Sequence, residues 1–351
     1  PVIGEGGTVM KIAIDCRYLG KSGIGRVCRG ILDHLDYAAD EYYLVGNAAE
    51  LAPYSPAHII EDETDPFSAR GLFSFPAQLN RLCDCVVIPN FIIPFGIRIP
   101  VYTVMHDLIF LDLPQITTRG KVDYLIKKTL LRRCLKKSVG IACVSEFTRS
   151  RCEHYFSKDA GKCYVNHIGL SEHVLSFDTS GIRKTNTIVY VGNVKPHKGL
   201  KTLVGAYKRL PMGEYELRII GDKDGFLTGM DRSDLETEGV VFTGRLGDEA
   251  LLREIAQAKF LIQPSLYEGF GLPPLEALWL GTRPIISDIP VFHEVYDGLD
   301  VVFFKAEDVG SLQEAILTSD PAVQSDRDLI QKKYDYAIFT KNLLEQIVRN
   351  G

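Results

Sequence analysis

At 351 residues the chain is long enough for two domains of ordinary size, each able to bury its own core. Hydrophobic content of 46% with 24% charged residues is that of a soluble globular protein, not of a disordered or fibrous one. A net charge of -5 argues against a general nucleic-acid binder, and no stretch approaches the roughly 18 uninterrupted apolar residues of a membrane span. Met10-Lys11-Ile12-Ala13-Ile14-Asp15 reads as a natural start running into a first strand, so the glycine-rich residues 1–9 are expected to be a remnant outside the fold. No signal peptide precedes Met10, which points to the cytoplasm.

The first strand, Lys11 to Asp15, is followed by Gly20-Lys21-Ser22-Gly23-Ile24-Gly25-Arg26 and then by a helical pattern from about Val27 to Leu35. A lone G-x-G is weak evidence, but its place after a strand puts Gly23 and Gly25 where ligands sit in open α/β sheets. Tyr42 to Gly46, Val86 to Pro89, Val101 to Met105 and Gly140 to Val144 are further apolar runs suited to buried parallel strands. Ala52 to Leu72 has no clear period and reads as loop. His106, with Asp107, would stand at a carboxyl strand edge.

Lys121 to Lys137 reads as a helix with seven basic residues against one acid, Asp123. Tyr124, Leu130, Leu131, Cys134 and Leu135 gather on one side, with Lys128, Arg132, Arg133, Lys136 and Lys137 on the other. Two readings of that basic face stay open, a solvated surface or contact with anionic lipid. All eight cysteines lie between Cys16 and Cys163, and none has C-x2-C spacing, so reduced core thiols are expected in a cytosolic protein.

Leu175 to Thr185 is polar and aperiodic, and the linker is placed there. From Thr187 strand and helix alternate with short joins, which means a parallel sheet covered on both faces. The predicted pairs run Ile188 to Val191 then Leu200 to Leu210, Glu216 to Ile220, and Val240 to Phe242 then Asp248 to Ala258. They continue as Phe260 to Ile262 then Leu275 to Leu280, Pro284 to Ile286 then Val291 to Tyr296, and Val301 to Phe303 then Val309 to Leu317. A last helix spans about Ser325 to Arg349. The expected organisation is therefore residues 10–175, 176–325, and a C-terminal helix at 326–351.

Between Ile262 and Leu275 lies Pro264-Ser265-Leu266-Tyr267-Glu268-Gly269-Phe270-Gly271-Leu272-Pro273-Pro274, a glycine turn leading into a helix. Pro273 and Pro274 suit a first helical turn, and free N–H groups at a helix start face anionic groups. Glu268 and Glu276 frame the turn eight positions apart, and carboxylates suit the paired donors of sugar diols. Any E-x7-E taken alone is better read as two solvated glutamates.

The whole string Glu-Gly-Phe-Gly-Leu-Pro-Pro-Leu-Glu-Ala resembles, almost letter for letter, the E-x7-E signature of family-4 glycosyltransferases, retaining enzymes of the two-domain GT-B fold. The resemblance covers nearly the whole chain from Met10, with its strongest motifs in the second half. It implies an α/β protein with two Rossmann-like parallel-sheet domains facing a cleft, the last helix crossing back to the first. It also implies that Glu268 holds donor-sugar hydroxyls, that Glu276 holds the nucleotide ribose, and that the N–H groups of Phe270, Gly271 and Leu272 meet sugar and phosphate. His106-Asp107-Leu108-Ile109 is similar to a segment whose histidine contacts the donor sugar in mannosyl- and rhamnosyl-transferring members. Gly192-Asn193-Val194-Lys195-Pro196-His197-Lys198-Gly199 matches the phosphate segment, with Lys198 at the position of its lysine and Asn193 where the family carries an arginine. A neutral amide cannot offset a departing diphosphate, so Lys195 is the candidate for the second charge. Ser287-Asp288 and Glu294 match pocket positions with weaker claims.

Asp222-Lys223-Asp224 is a literal D-x-D, yet in this fold class donors are usually held without metal, and neither metal nor cofactor is expected. The reading that follows is transfer of a hexose, mannose from GDP-mannose first, to a glycan or lipid-diphosphate-linked acceptor of a surface polysaccharide. dTDP-rhamnose or a UDP-hexose is the rival donor. Nucleotide-sugar epimerases are disfavoured by the paired glutamates, and a nucleotide-sugar-binding protein without transfer activity has Asn193 as its support.

Overall fold

A computed structural model describes residues 9–117, 120–221, 235, 237–324 and 327–350, except the side chain of Ser22. Thirteen strands are described, forming two all-parallel sheets. The first sheet contains β1 (Lys11–Asp15), β2 (Glu41–Gly46), β3 (His58–Glu61), β4 (Cys85–Ile88), β5 (Val101–Met105), β6 (Ser138–Cys143) and β7 (Cys163–Val165). Their order is β3-β2-β1-β4-β5-β6-β7. The second sheet contains β8 (Thr187–Val191), β9 (Glu216–Ile220), β10 (Val240–Gly244), β11 (Phe260–Gln263), β12 (Arg283–Ser287) and β13 (Val302–Phe304), in the order β10-β9-β8-β11-β12-β13. Both sheets follow the doubly wound 3-2-1-4-5-6 pattern, so each has a topological switch point, at β1/β4 and at β8/β11.

The central strands are covered on both faces, which is why they read as unbroken apolar runs: β4, β5, β8 and β11 are buried at every residue. The two strands absent from the sequence reading, β3 and β7, are sheet edges. β3 is mostly exposed and β7 has only three residues, all half-buried, so neither carries a period. The helix after β1 spans Ser22–Asp33, beginning earlier than Val27, and Gly23 and Gly25 therefore lie in its first turn instead of in a loop.

The chain divides into two units, the first comprising Pro1–Leu108, Arg119–Ile168 and Tyr336–Gly351, the second Ile109–Thr118 and Gly169–Asp335. The expected single last helix is two, Arg327–Lys333 and Tyr336–Asn350. Helical bonding stops between them because Leu170 N–H donates to the Tyr334 carbonyl at 3.1 Å and Leu170 bridges Asp335. Tyr336–Asn350 then packs on Ser22–Asp33 in the first unit, where the Asn166 amide donates to the Phe339 carbonyl at 2.9 Å.

The Lys121–Lys137 helix buries Leu131, Cys134 and Leu135, as its period predicts. Arg133 departs from the expected solvated face: its guanidinium donates to the carbonyls of Ile93 and Pro94 and lies 4.2 Å over the Phe95 ring. The first two turns instead expose Val122 (72%), Leu125 (59%) and Ile126 (53%). No helix among the described residues is long and apolar enough to cross a membrane.

Candidate active site

The second unit gathers its chemistry at the β8/β11 switch point. The segment after β8 forms a short turn, Pro196–Lys198, and the helix Leu200–Tyr207 follows. Gly199 links them with φ of +68°, and a Cβ there would stand 1.8 Å from the Pro264 carbonyl oxygen after β11. Only glycine lets the two turns approach so closely. Leu266 N–H donates to the His197 carbonyl at 2.8 Å and completes the join.

That approach brings Lys198 Nζ to 2.7 Å from Glu268 Oε1. Both side chains stay partly accessible, at 20% and 12% exposure. The same carboxylate oxygen accepts from Ser265 Oγ at 2.7 Å and from Gln263 Nε2 at 3.2 Å. Gln263 also donates to Ser265 Oγ at 3.0 Å, and the Ser287 hydroxyl at the end of β12 donates to the Ser265 carbonyl. Burial by itself would raise the Glu268 carboxyl, but the charge and hydrogen bond of Lys198, with the Ser265 hydroxyl, hold it below the usual carboxylate range. Neighbouring His197 is pushed down to about 4, first by burial and then by the Lys198 charge, so it is neutral near pH 7. Lys195 is exposed on the same turn, and its charge reaches the His197 ring. Asn193 is half-buried, and its carbonyl accepts from the Tyr190 hydroxyl at 3.2 Å.

After Glu268 the chain makes its turn at Gly271, where φ is +92° and a Cβ would meet the Phe292 ring at 2.5 Å. The Tyr296 hydroxyl donates to the Gly271 carbonyl and fixes that turn. The helix is Leu272–Trp279, one turn longer at its start than Leu275, with the two prolines in the first turn, where missing N–H groups break no hydrogen bond. Phe270 is buried, edge-on to Tyr334 at 5.5 Å, while Leu272 is half-buried. Glu276 is 5% exposed one turn into the helix. Tyr267 donates to Asp112 at 2.9 Å, within the second unit. Asp222 and Asp224 lie outside the described residues.

His106, Gly23 and Gly25 belong to the first unit. His106 Nε2 is 2.8 Å from the Pro89 carbonyl, which can only accept, so Nε2 carries the proton. Burial lowers the pKa of the ring, while the Pro89 bond and Asp107 act in the other direction. The neutral tautomer turns Nδ1 into an acceptor. Thr148 Oγ1 donates to the His106 carbonyl at 3.3 Å and anchors the backbone there. Gly23 is exposed and Gly25 buried.

Two groups of polar residues escaped sequence reasoning. Gln263 and Ser265 hold Glu268, braced by Ser287, which the sequence already places at the pocket; the signal for the first two is that the apolar run of β11 ends on polar residues that are buried. In the first unit Arg17, just after β1, forks on Asp15 at 2.8 and 2.7 Å and meets Asp62, just after β3, at 3.2 Å. Burial acts against the Arg17 charge, but Asp15 and Asp62 outweigh it.

Two doubly wound units, with the last helix returned to the first, define a GT-B-like architecture. The fold of HepE from Anabaena, solved in complex with UDP and glucose, superposes with a TM-score of 0.72 at 15% identity, over 97% of this chain and 100% of that one. Residues 176–334 match the family described as glycosyl transferases group 1. The chain is 27% identical over 246 residues to O-antigen chain mannosyltransferase B of Escherichia coli, covering 66% of this chain and 64% of the relative. It is 29% identical over 239 residues to O-antigen chain mannosyltransferase RfbU of Salmonella typhimurium, covering 64% and 66%. The matched stretch thus spans a little under two thirds of the length of these curated relatives. Within the second unit the chain is thus similar to the group 1 glycosyltransferases, and over about two thirds of its length it is similar to the O-antigen mannosyltransferases.

Proposed function

We propose that this protein is a retaining hexosyltransferase that moves a sugar, mannose from GDP-mannose first, onto a glycan or lipid-diphosphate-linked acceptor of a surface polysaccharide. The observation that carries the reading is the Lys198–Glu268 pair at 2.7 Å on the switch point. A nucleotide sugar joins an anionic diphosphate directly to a polyol, and an ammonium beside a carboxylate complements that junction. The choice of mannose rests on the similarity to O-antigen mannosyltransferases.

In this reading Lys198 and Lys195 face the diphosphate, Asn193 contributes an amide contact, and the N–H groups of Phe270, Gly271 and Leu272 cover sugar and phosphate. Glu268 orients sugar hydroxyls, Glu276 holds the ribose diol, and Nδ1 of His106 accepts from the donor sugar. The bond from the anomeric carbon to phosphate breaks with its electron pair on the diphosphate. The acceptor oxygen bonds that carbon on the same face, and its proton passes to the departing phosphate oxygen. Fixed cations aimed at the growing charge are worth several kcal/mol in favourable sites. A thermal-shift panel of nucleoside diphosphates tests the donor: the matching one, at a hundred times its dissociation constant, stabilises by roughly 2.7 kcal/mol. A shift with UDP or dTDP and none with GDP moves the donor to a UDP-hexose or dTDP-rhamnose, and no shift with any removes the reading.

The Lys121–Lys137 helix fits a peripheral contact with anionic lipid at the inner face of the plasma membrane. Its exposed Val122, Leu125 and Ile126 stand beside Lys121, and Arg132 and Lys136 are exposed further along. Cosedimentation with phosphatidylglycerol vesicles is expected at low salt, weakening at high salt and lost on Leu125→Asp with Ile126→Asp. Binding unchanged by that double substitution excludes the helix as the contact.

A further inference from the structure

We infer that Cys143, Cys152 and Cys163 form a trithiolate site for a thiophilic cation of the zinc class. Their ligand atoms lie within 4.8 Å of one another, although the residues come from three elements. Register explains two of them: β6 and β7 pair in parallel with Ile141 beside Cys163 and Cys143 beside Val165. Cys143 and Cys163 are thus two positions out of register, and a period of two sends both side chains to one face. The helix Glu146–Phe156 buries Thr148, Cys152 and Phe156, four residues apart along one stripe, and this stripe delivers the third sulfur.

The spacing of the two strand cysteines argues against a disulfide between Cys143 and Cys163. Strands about 4.8 Å apart, with a rise of about 3.3 Å per residue, separate the Cα atoms of two such residues by roughly 8 Å, beyond the roughly 7 Å that a disulfide spans. Zinc–sulfur bonds of about 2.3 Å place ligating sulfurs just under about 4 Å apart, which small side-chain movements reach from the present arrangement. All eight cysteines are free thiols, and no other such cluster of His, Cys, Asp and Glu occurs among the described residues.

The surroundings suit the charge. Three thiolates around a divalent ion carry one net negative charge, and the positive charges of Arg149 and Lys162 act on the Cys163 sulfur. Lys162 is fixed by donating to the Ser138 carbonyl at 2.8 Å and the Lys136 carbonyl at 3.2 Å. Cys143 and Cys152 are buried and Cys163 is half-buried, so an ion enters past Cys163. Thiolate donors select zinc-class or copper(I) ions over magnesium and calcium. Binding passes the displaced thiol protons to solvent and moves no electrons. The ion would tie the three-residue edge strand β7 to the helix above it, a structural role that needs no donor sugar and stands apart from the transfer chemistry.

The test uses the full chain, reduced and stripped by chelator without oxygen, with Cd²⁺ as probe. A sulfur-to-cadmium charge-transfer band saturating at one ion per chain is expected, reversed by Zn²⁺, with Zn²⁺ also raising the melting temperature. Cys152→Ser and Cys163→Ser should each weaken binding at least about tenfold, as loss of one ligand contact worth more than 1.4 kcal/mol implies, while Cys83→Ser leaves it unchanged. Cys163→Ala, at the half-buried edge position, keeps the test open if the buried variant does not fold. Absence of the band, its loss in Cys83→Ser, or its persistence in Cys163→Ala overturns the site. Copper(I) binding with no Zn²⁺ or Cd²⁺ response overturns the zinc class.

Discussion

Glu268→Gln is expected to lower kcat by about two orders of magnitude or more, about 2.7 kcal/mol, while affinity for the free nucleoside diphosphate stays within about threefold. The substitution is close to isosteric, and its immediate partners are all donors: Lys198 Nζ, Ser265 Oγ and Gln263 Nε2 converge on Oε1. They can keep the amide oxygen where the carboxylate oxygen stands, so geometry survives and charge is lost. The loss falls on the sugar, whose anomeric carbon gains positive character in the transition state. Glu276→Gln should behave differently, because the ribose is unchanged by reaction: a raised KM and weaker diphosphate binding with kcat little altered. Isothermal titration of both variants, followed by turnover at saturating donor, separates the cases. If Glu268→Gln loses the diphosphate and Glu276→Gln keeps it, the two carboxylates exchange roles.

The difference between what the sequence revealed and what it hid follows burial and distance along the chain. Strands that carry a short apolar run were legible: Val101–Met105, buried at every residue, and Glu216–Ile220, buried at Leu217, Ile219 and Ile220, have the bounds that their runs suggest. β3 escaped because its edge faces solvent, and Ser22–Asp33 was placed late because Gly23 and Gly25 mask a first turn by their low helix propensity. In the site, Glu268, Gly271 and the prolines of the following helix are contiguous, so a string of letters could disclose them. Their support is not contiguous. Lys198 meets Glu268 across 70 positions, and Ser287 reaches Ser265 across 22, contacts that exist only after β8, β11 and β12 align. The three clustered cysteines show the same limit, since β7 was not legible and nothing in their spacing resembles a ligand motif.

Lys198→Ala is expected to depress turnover at least about tenfold, as loss of a charge-assisted contact of about 1.5 kcal/mol or more implies, and to change the pH dependence in a defined direction. In the wild type, burial raises the Glu268 carboxyl and Lys198 more than offsets it, so the folded pKa lies below the unfolded one. That stabilisation is present above the unfolded carboxylate value, about 4.3, and is lost as pH falls through the folded value. Removing Lys198 leaves burial as the largest influence, and the folded pKa of Glu268 moves up. The variant should therefore be less stable than the wild type at pH 7, with the gap closing as pH falls through the carboxylate range, and the acid limb of its pH–rate profile should move to higher pH. Lys198→Arg should restore part of both effects, because a guanidinium keeps the charge but changes its reach. Chemical denaturation at several pH values and a pH–rate profile provide the check. Near-normal turnover with an unmoved acid limb would remove Lys198 from the chemistry and leave the diphosphate to Lys195, whereas a moved limb with normal turnover would keep Lys198 only as the counter-charge of Glu268.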